Sequence, residues 1–118
     1  MPKTKGQIEA EISTAITRFE KEHLGRGPRE ARTYIIEDMI LIRLISVLTP
    51  AEQKLAENDE GAQLIKQTRR RLIESSRPLL SEIIETITGV KILSLHTDIS
   101  TRSGERIFVL CMEREIEM

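Results

Sequence analysis

Tryptophan is absent from this chain, and its 118 residues hold one tyrosine and two phenylalanines. Proteins that bind single-stranded nucleic acid stack bases on aromatic side chains, and so few rings leave no such platform. The single cysteine, Cys111, excludes an internal disulfide and every multi-cysteine zinc pattern. It also makes the cytoplasm the expected compartment. An excess of one charge is missing too. Charged residues make up 31% of the chain but nearly cancel, at net −1, so no global field draws in nucleic acid or an anionic membrane, and a local patch would be needed. Apolar runs are short. Met39 to Ile42 is typical, far below the ~20 residues of a membrane-spanning helix. Met1-Pro2-Lys3-Thr4-Lys5 leads into a charged helical pattern and not into the apolar core of a signal peptide. No membrane insertion is expected, and the length fits one domain over residues 1–118.

What is present is periodic. Thr4 and Gln7 have capping-box spacing, which starts a first helix. Ile8, Ile12, Ala15, Ile16 and Phe19 form its apolar face, with Glu9, Glu11, Arg18, Glu20, Lys21 and Glu22 on the remainder. Leu24-Gly25 and Pro28 end it. Arg32 to Ile36 and Met39 to Val47 then predict a tight hairpin about Glu37-Asp38. Both faces of its second strand are largely apolar, so something must cover each.

Thr49-Pro50-Ala51-Glu52 joins a hydroxyl N-cap, proline at the first helical position and a glutamate that closes the box, which predicts a short helix ending around Asn58 to Gly61. A long helix is predicted from Ala62 to Thr88. Its stripe is Leu64 or Ile65, Leu72, Leu79, Ile83 and Ile87, broadened by Ile73, Leu80 and Ile84. Pro78, lacking the amide that would bond the Glu74 carbonyl, predicts a bend. Gly89 stops the helix. Val90 to Ile99 and Ile107 to Met112 predict a second hairpin about Ser100 to Gly104, and Glu113 to Met118 a fraying charged tail. The fold class is therefore α+β: a four-stranded antiparallel sheet built from two hairpins, each preceded by helix, with the helices packed on one face. The apolar face left over, or the overhanging helix, predicts a homodimer.

Candidate chemistry is sparse. Gly25-Arg26-Gly27-Pro28 is either a helix stop or a small loop whose amides and guanidinium hold an anion. Arg102 lies in the last hairpin turn and Arg106 just after it, where the same choice arises between a turn with a cross-strand charge pair and an anion cradle. Arg26, Gly27, Arg102 and Arg106 are thus the anion-binding candidates. Arg69, Arg70 and Arg71 head the one basic concentration. They form either a solvated helix face paired with carboxylates such as Glu74, or a contact for a protein partner or nucleic acid. His96 and Asp98 share a strand face, but no third ligand or nucleophile is spaced to join them. Cys111 reads as a buried small hydrophobe. No catalytic residue, metal site or cofactor is expected, and the chain reads as non-enzymatic.

Several stretches together resemble one bacterial family: Gly25-Arg26-Gly27-Pro28, Tyr34 to Ile40, Leu48-Thr49-Pro50-Ala51-Glu52, Thr88-Gly89-Val90, His96-Thr97-Asp98-Ile99 and Gly104-Glu105. They are similar to the MpsC-like family over roughly Lys5 to Arg114. That resemblance implies a cytosolic accessory protein of a cation-dependent, membrane-potential-generating system linked to inorganic-carbon uptake, whose other subunits lie in the membrane. It brings no catalytic residues to carry over. The expected function is accessory or regulatory, with transporter subunits as partners. The alternatives are a sensor of bicarbonate or a phosphorylated metabolite, and a nucleic-acid-binding protein using the basic helix.

Overall fold

The computed structural model describes residues 3–118, so Met1 and Pro2 of the N-terminal reading lie outside the described residues. The elements follow in the order α1 (Lys5–His23), β1 (Glu30–Ile36), β2 (Met39–Ile45), α2 (Pro50–Leu55), α3 (Asp59–Thr88), β3 (Ile92–Ile99) and β4 (Arg106–Met112). Both capping boxes form. The Thr4 hydroxyl accepts from the Gln7 amide at 3.1 Å, and the Thr49 hydroxyl accepts from the Glu52 amide at 3.1 Å. Gly89 closes α3 in the left-handed conformation at φ 73°, which a residue without Cβ adopts at little cost. The α3 helix begins three residues before the expected Ala62, because Asn58 caps it through a bond from the Gly61 amide at 2.8 Å. It runs through Pro78 to Thr88 as one helix.

All strands pair antiparallel in the order β1-β2-β4-β3. The order follows from composition. Strands β2 and β4, apolar on both faces, take the centre, while β1 and β3, with more polar positions, take the edges. On the covered face Ile35, Ile40, Ile42, Leu44, Phe108 and Leu110 meet Ile8, Ile12, Ile16 and Phe19 of α1 and Ile65, Ile73, Leu80 and Ile84 of α3. Each such side chain contributes roughly 1.5–3 kcal/mol on burial. Leu72 and Leu79, expected in the stripe of α3, lie exposed instead. The buried row follows Ile65, Ile73, Leu80 and Ile84, one position round the helix, so the core meets only part of a broad apolar face.

The opposite sheet face is uncovered. Tyr34, Leu41 and Val109 stand in one cross-strand row and Ile36, Met39 and Cys111 in the next. Leu93 on the edge strand is 68% exposed. Cys111 is therefore half-buried on this face and not a core residue. The charged tail does not fray as expected. Ile116 is buried, the Glu113 amide donates to the Lys91 carbonyl at 2.9 Å, and Arg114 donates to the Gly89 carbonyl at 3.2 Å.

Two glycines on helices give opposite expectations. A Cβ on Gly61 would fall 1.8 Å from the Leu55 carbonyl oxygen, where the backbones of α2 and α3 touch. Gly61→Ala is expected to destabilise by about 2 kcal/mol, overpacking outweighing the better helix propensity. Gly6 has open space about it, and Gly6→Ala is expected to stabilise by about 0.5 kcal/mol. Urea unfolding of both variants checks the pair, and equal shifts would refute the close approach.

Candidate functional site

Three charged residues occupy positions where the periodicity calls for apolar ones. Glu20 continues the row Ile8, Ile12, Ile16 on α1 at four-residue spacing. Arg69 lies midway between Ile65 and Ile73 on α3. Arg106 begins the inward series Phe108, Leu110, Met112 on β4. Helix packing against the sheet then carries all three inside, with relative exposures of 0%, 2% and 2%. A charge this buried costs several kcal/mol unless it is paired or hydrogen-bonded.

Arg69 is the best satisfied. Its Nη2 and Nε donate to the two carboxylate oxygens of Glu52 at 2.7 and 2.9 Å, and Nη2 also reaches the Val47 carbonyl at 3.1 Å. The Glu52 carboxylate is in turn fixed by the Thr49 amide at 2.9 Å. One glutamate thus closes the cap of α2 and holds a guanidinium of α3. Burial pushes the Glu52 carboxyl up, but the hydrogen bonds from Arg69 and Thr49 outweigh it and hold the group below the usual carboxylate range. Nη1 of Arg69 remains buried with no protein partner.

Arg106 donates through Nη1 to the Thr97 hydroxyl at 3.0 Å, while that hydroxyl donates to the Ile107 carbonyl at 2.8 Å. Its guanidinium carbon stands 5.6 Å from the Phe108 ring centroid. Nε and Nη2 are buried without protein partners. Burial lowers the pKa of Arg106, and the charge of Glu20 works against that shift. The two carboxylate oxygens of Glu20 are likewise unpartnered. Burial raises Glu20 from 4.5 to about 7, against the attraction of Arg106 and then Arg69.

Arg69 and Arg106 line a cavity of about 300 Å³ between α3 and the edge strand β3. Half-buried Lys66 and Arg77 and exposed Arg70 share its lining, and Ile73, Leu95 and Ile99 supply an apolar wall. Its two acids are engaged: Asp98 faces Lys66 at 3.7 Å and Glu74 accepts from Arg77 at 2.9 Å. His96 also lines it, its Nε2 3.2 Å from the Ser94 hydroxyl. Among the described residues no group of three or more His, Cys, Asp or Glu side chains is placed to hold a metal. The gathered groups are donors suited to oxyanions.

The expected anion set is divided by the fold. Arg26 donates to the Leu48 carbonyl at 2.8 Å, and Gly27 rests on Thr17 and Lys21 of α1. The Gly104 carbonyl accepts from the Val47 amide at 2.9 Å, so both loops flank Val47 and Leu48 at one sheet end. Arg102, exposed at the turn, lines a hollow with Ser46 and Leu48 and another beside Lys66 and Asp98. Of the four candidates, Arg106 belongs to the cavity between α3 and β3. The basic triplet is divided as well. Arg70 and Arg71 are exposed, but Arg69 points inward to Glu52 and offers no surface to a partner or to nucleic acid. In the sequence, Glu20, Arg69 and Glu52 are legible only as charges at apolar positions and as a cap residue with a second carboxylate oxygen to spare.

Two expectations follow from this geometry. Glu52→Ala removes an arm of the cap and leaves the Arg69 charge buried, and is expected to cost about 3–5 kcal/mol in urea unfolding, where a loss under 1 kcal/mol would contradict the pairing. Glu20 has a native pKa of about 7 above an unfolded value near 4.5, so the native state binds the extra proton between them. Its stabilisation is complete below pH 4.5 and is lost as pH rises through 7, about 3 kcal/mol in all. Glu20→Gln is expected to flatten that slope, measured by denaturation from pH 4.5 to 8. An unchanged slope would assign it to other groups.

Known proteins match nearly the full length of the chain. The chain is 48% identical to "Uncharacterized protein YbcI" of Bacillus subtilis (strain 168) over 117 residues, covering 99% of this chain and 94% of that protein. It is 28% identical to "Uncharacterized protein YrhF" of the same strain over 108 residues, covering 91% and 88%. No solved structure matches it. The family model described as "Na+-translocating membrane potential-generating system (MpsC)" matches residues 4–114, the span from the cap of α1 to the last bond after β4, and the chain belongs to the MpsC family.

Proposed function

We propose that the protein is a non-enzymatic accessory or regulatory component of a Na+-translocating, membrane-potential-generating system, acting on the cytoplasmic side and coupled to inorganic-carbon uptake. The observation that carries this reading is the family match over residues 4–114. No helix among the described residues is long and apolar enough to cross a membrane, which favours an ion path borne by other chains. The buried polar cluster gathers arginines and carboxylates and no nucleophile, which favours binding over covalent chemistry.

The uncovered sheet face favours assembly as a homodimer. Tyr34, Ile36, Leu41 and Val109 form an apolar surface of the kind that isologous interfaces bury. Light scattering is expected to give a dimer for the wild type and a monomer for Val109→Asp, and a wild-type monomer would remove this part of the reading.

Cells lacking the chain are expected to lose Na+-dependent membrane potential, read with a potential-sensitive dye. Wild-type protein is expected to restore it and to co-purify with the membrane-embedded subunits. An unchanged potential in the deletion strain would overturn the accessory role.

A further inference from the structure

The cavity between α3 and β3 combines features that fold stability alone does not require. Arg69 and Arg106, each 2% exposed, both line it, and between them they carry three buried donors with no protein acceptor: Nη1 of the first, and Nε and Nη2 of the second. Nε of Arg77 is buried and unpartnered in the same lining. Leaving such donors unmet is unfavourable, and native proteins meet them with water or a bound group. Lys66 and Arg70 add positive charge nearby, so cations outnumber acids in the lining by five to two. Glu52 and the Val47 carbonyl fix the Arg69 side chain before any ligand arrives, and Thr97 fixes Arg106. This is a preorganised guanidinium pair, the arrangement that suits the planar edge of an oxyanion.

We propose that this cavity is a binding site for a small phosphorylated metabolite, with its phosphate held between Arg69 and Arg106 and covered by Arg77. A phosphate group supplies acceptors for guanidinium donors in this lining and carries the dianionic charge that the excess of cations favours. A cavity of about 300 Å³ lies at the small end of ligand pockets and leaves room beside the phosphate for a short organic portion against Ile73, Leu95 and Ile99. The depth of the guanidinium groups selects a free molecule over a phosphate fixed at a lipid surface. The inference stands on the cavity alone and does not rest on the membrane-system reading.

Calorimetric titration and thermal unfolding of the full chain test it, using inorganic phosphate and sn-glycerol 3-phosphate against sodium chloride of equal ionic strength. Saturable binding and a dose-dependent rise in Tm with the phosphates alone are expected. Arg77→Gln is expected to weaken binding about tenfold, the loss of one charge-assisted contact. Arg106→Met is expected to abolish it, and Arg114→Gln, at the other end of the sheet, to leave it unchanged. Arg106→Met changes a buried residue, so the wild type supplies a second measurement. On titration with phosphate, the NMR signals of the Arg69, Arg77 and Arg106 Nε–H groups are expected to shift together, while that of Arg32 stays fixed. A phosphate response no larger than that of chloride, or unmoved Nε–H signals in all three arginines, would overturn the site and assign the cavity to water.

Discussion

The interior of this small domain is organised around charges that its core cannot ignore. Glu20, Arg69 and Arg106 come from a helix, a second helix and a strand, and each sits at a position that packing turns inward. A charge in a low-dielectric interior is costly unless opposite charges lie near it, so the elements bearing these residues must meet in one register or the fold loses several kcal/mol. The pair between Arg69 and Glu52 anchors that register. It ties the start of α2 to α3, and through Val47 to the end of the first hairpin. Apolar contacts supply most of the drive to fold, but they tolerate sliding by a turn, and the bidentate pair does not.

Around that anchor the architecture divides into a satisfied side and an open one. The helices cover one sheet face, and the tail returns to bury Ile116. On the other face the in-register rows of β1, β2 and β4 remain apolar and uncovered. The α3 helix, about 45 Å long by its 30 residues, is about twice the length of the strands it crosses, and it leaves Leu64, Leu72 and Leu79 exposed. Two uncovered apolar surfaces and a cavity lined by five cations are features suited to binding.

Much of this architecture is legible in the amino-acid sequence. Caps, stops and turns are local, and Thr4, Thr49, Gly89 and the Glu37-Asp38 turn act within four residues of themselves, so the elements fall where those residues place them. The two-sided apolar pattern of β2 and β4 also announces the central strands. Other features escape the pattern for a common reason. Arg69, Arg70 and Arg71 adjoin in sequence and suggest one patch, whereas on a helix adjacent residues point about 100° apart and only residues at three- or four-residue spacing share a face. Glu20 reads as part of the polar side of α1, although it continues the row from Ile16 into the core. Leu72 and Leu79 fit a core stripe as well as their neighbours do, because a broad apolar face does not say which of its edges the sheet will meet.

The sequence by itself determined the α+β class, the helix starts and stops, the hairpins and the family. Those depend on short-range hydrogen bonding, backbone conformation and the periods of helix and strand. Only the tertiary structure decided that Arg106 belongs with Arg69 and not with Arg26 and Gly27, that Glu52 serves both a cap and a guanidinium, and that Arg69 and Arg106 line one cavity. Convergence of side chains as far apart in the chain as Arg69 and Arg106 is set by how helices seat on a sheet, and no local pattern records it.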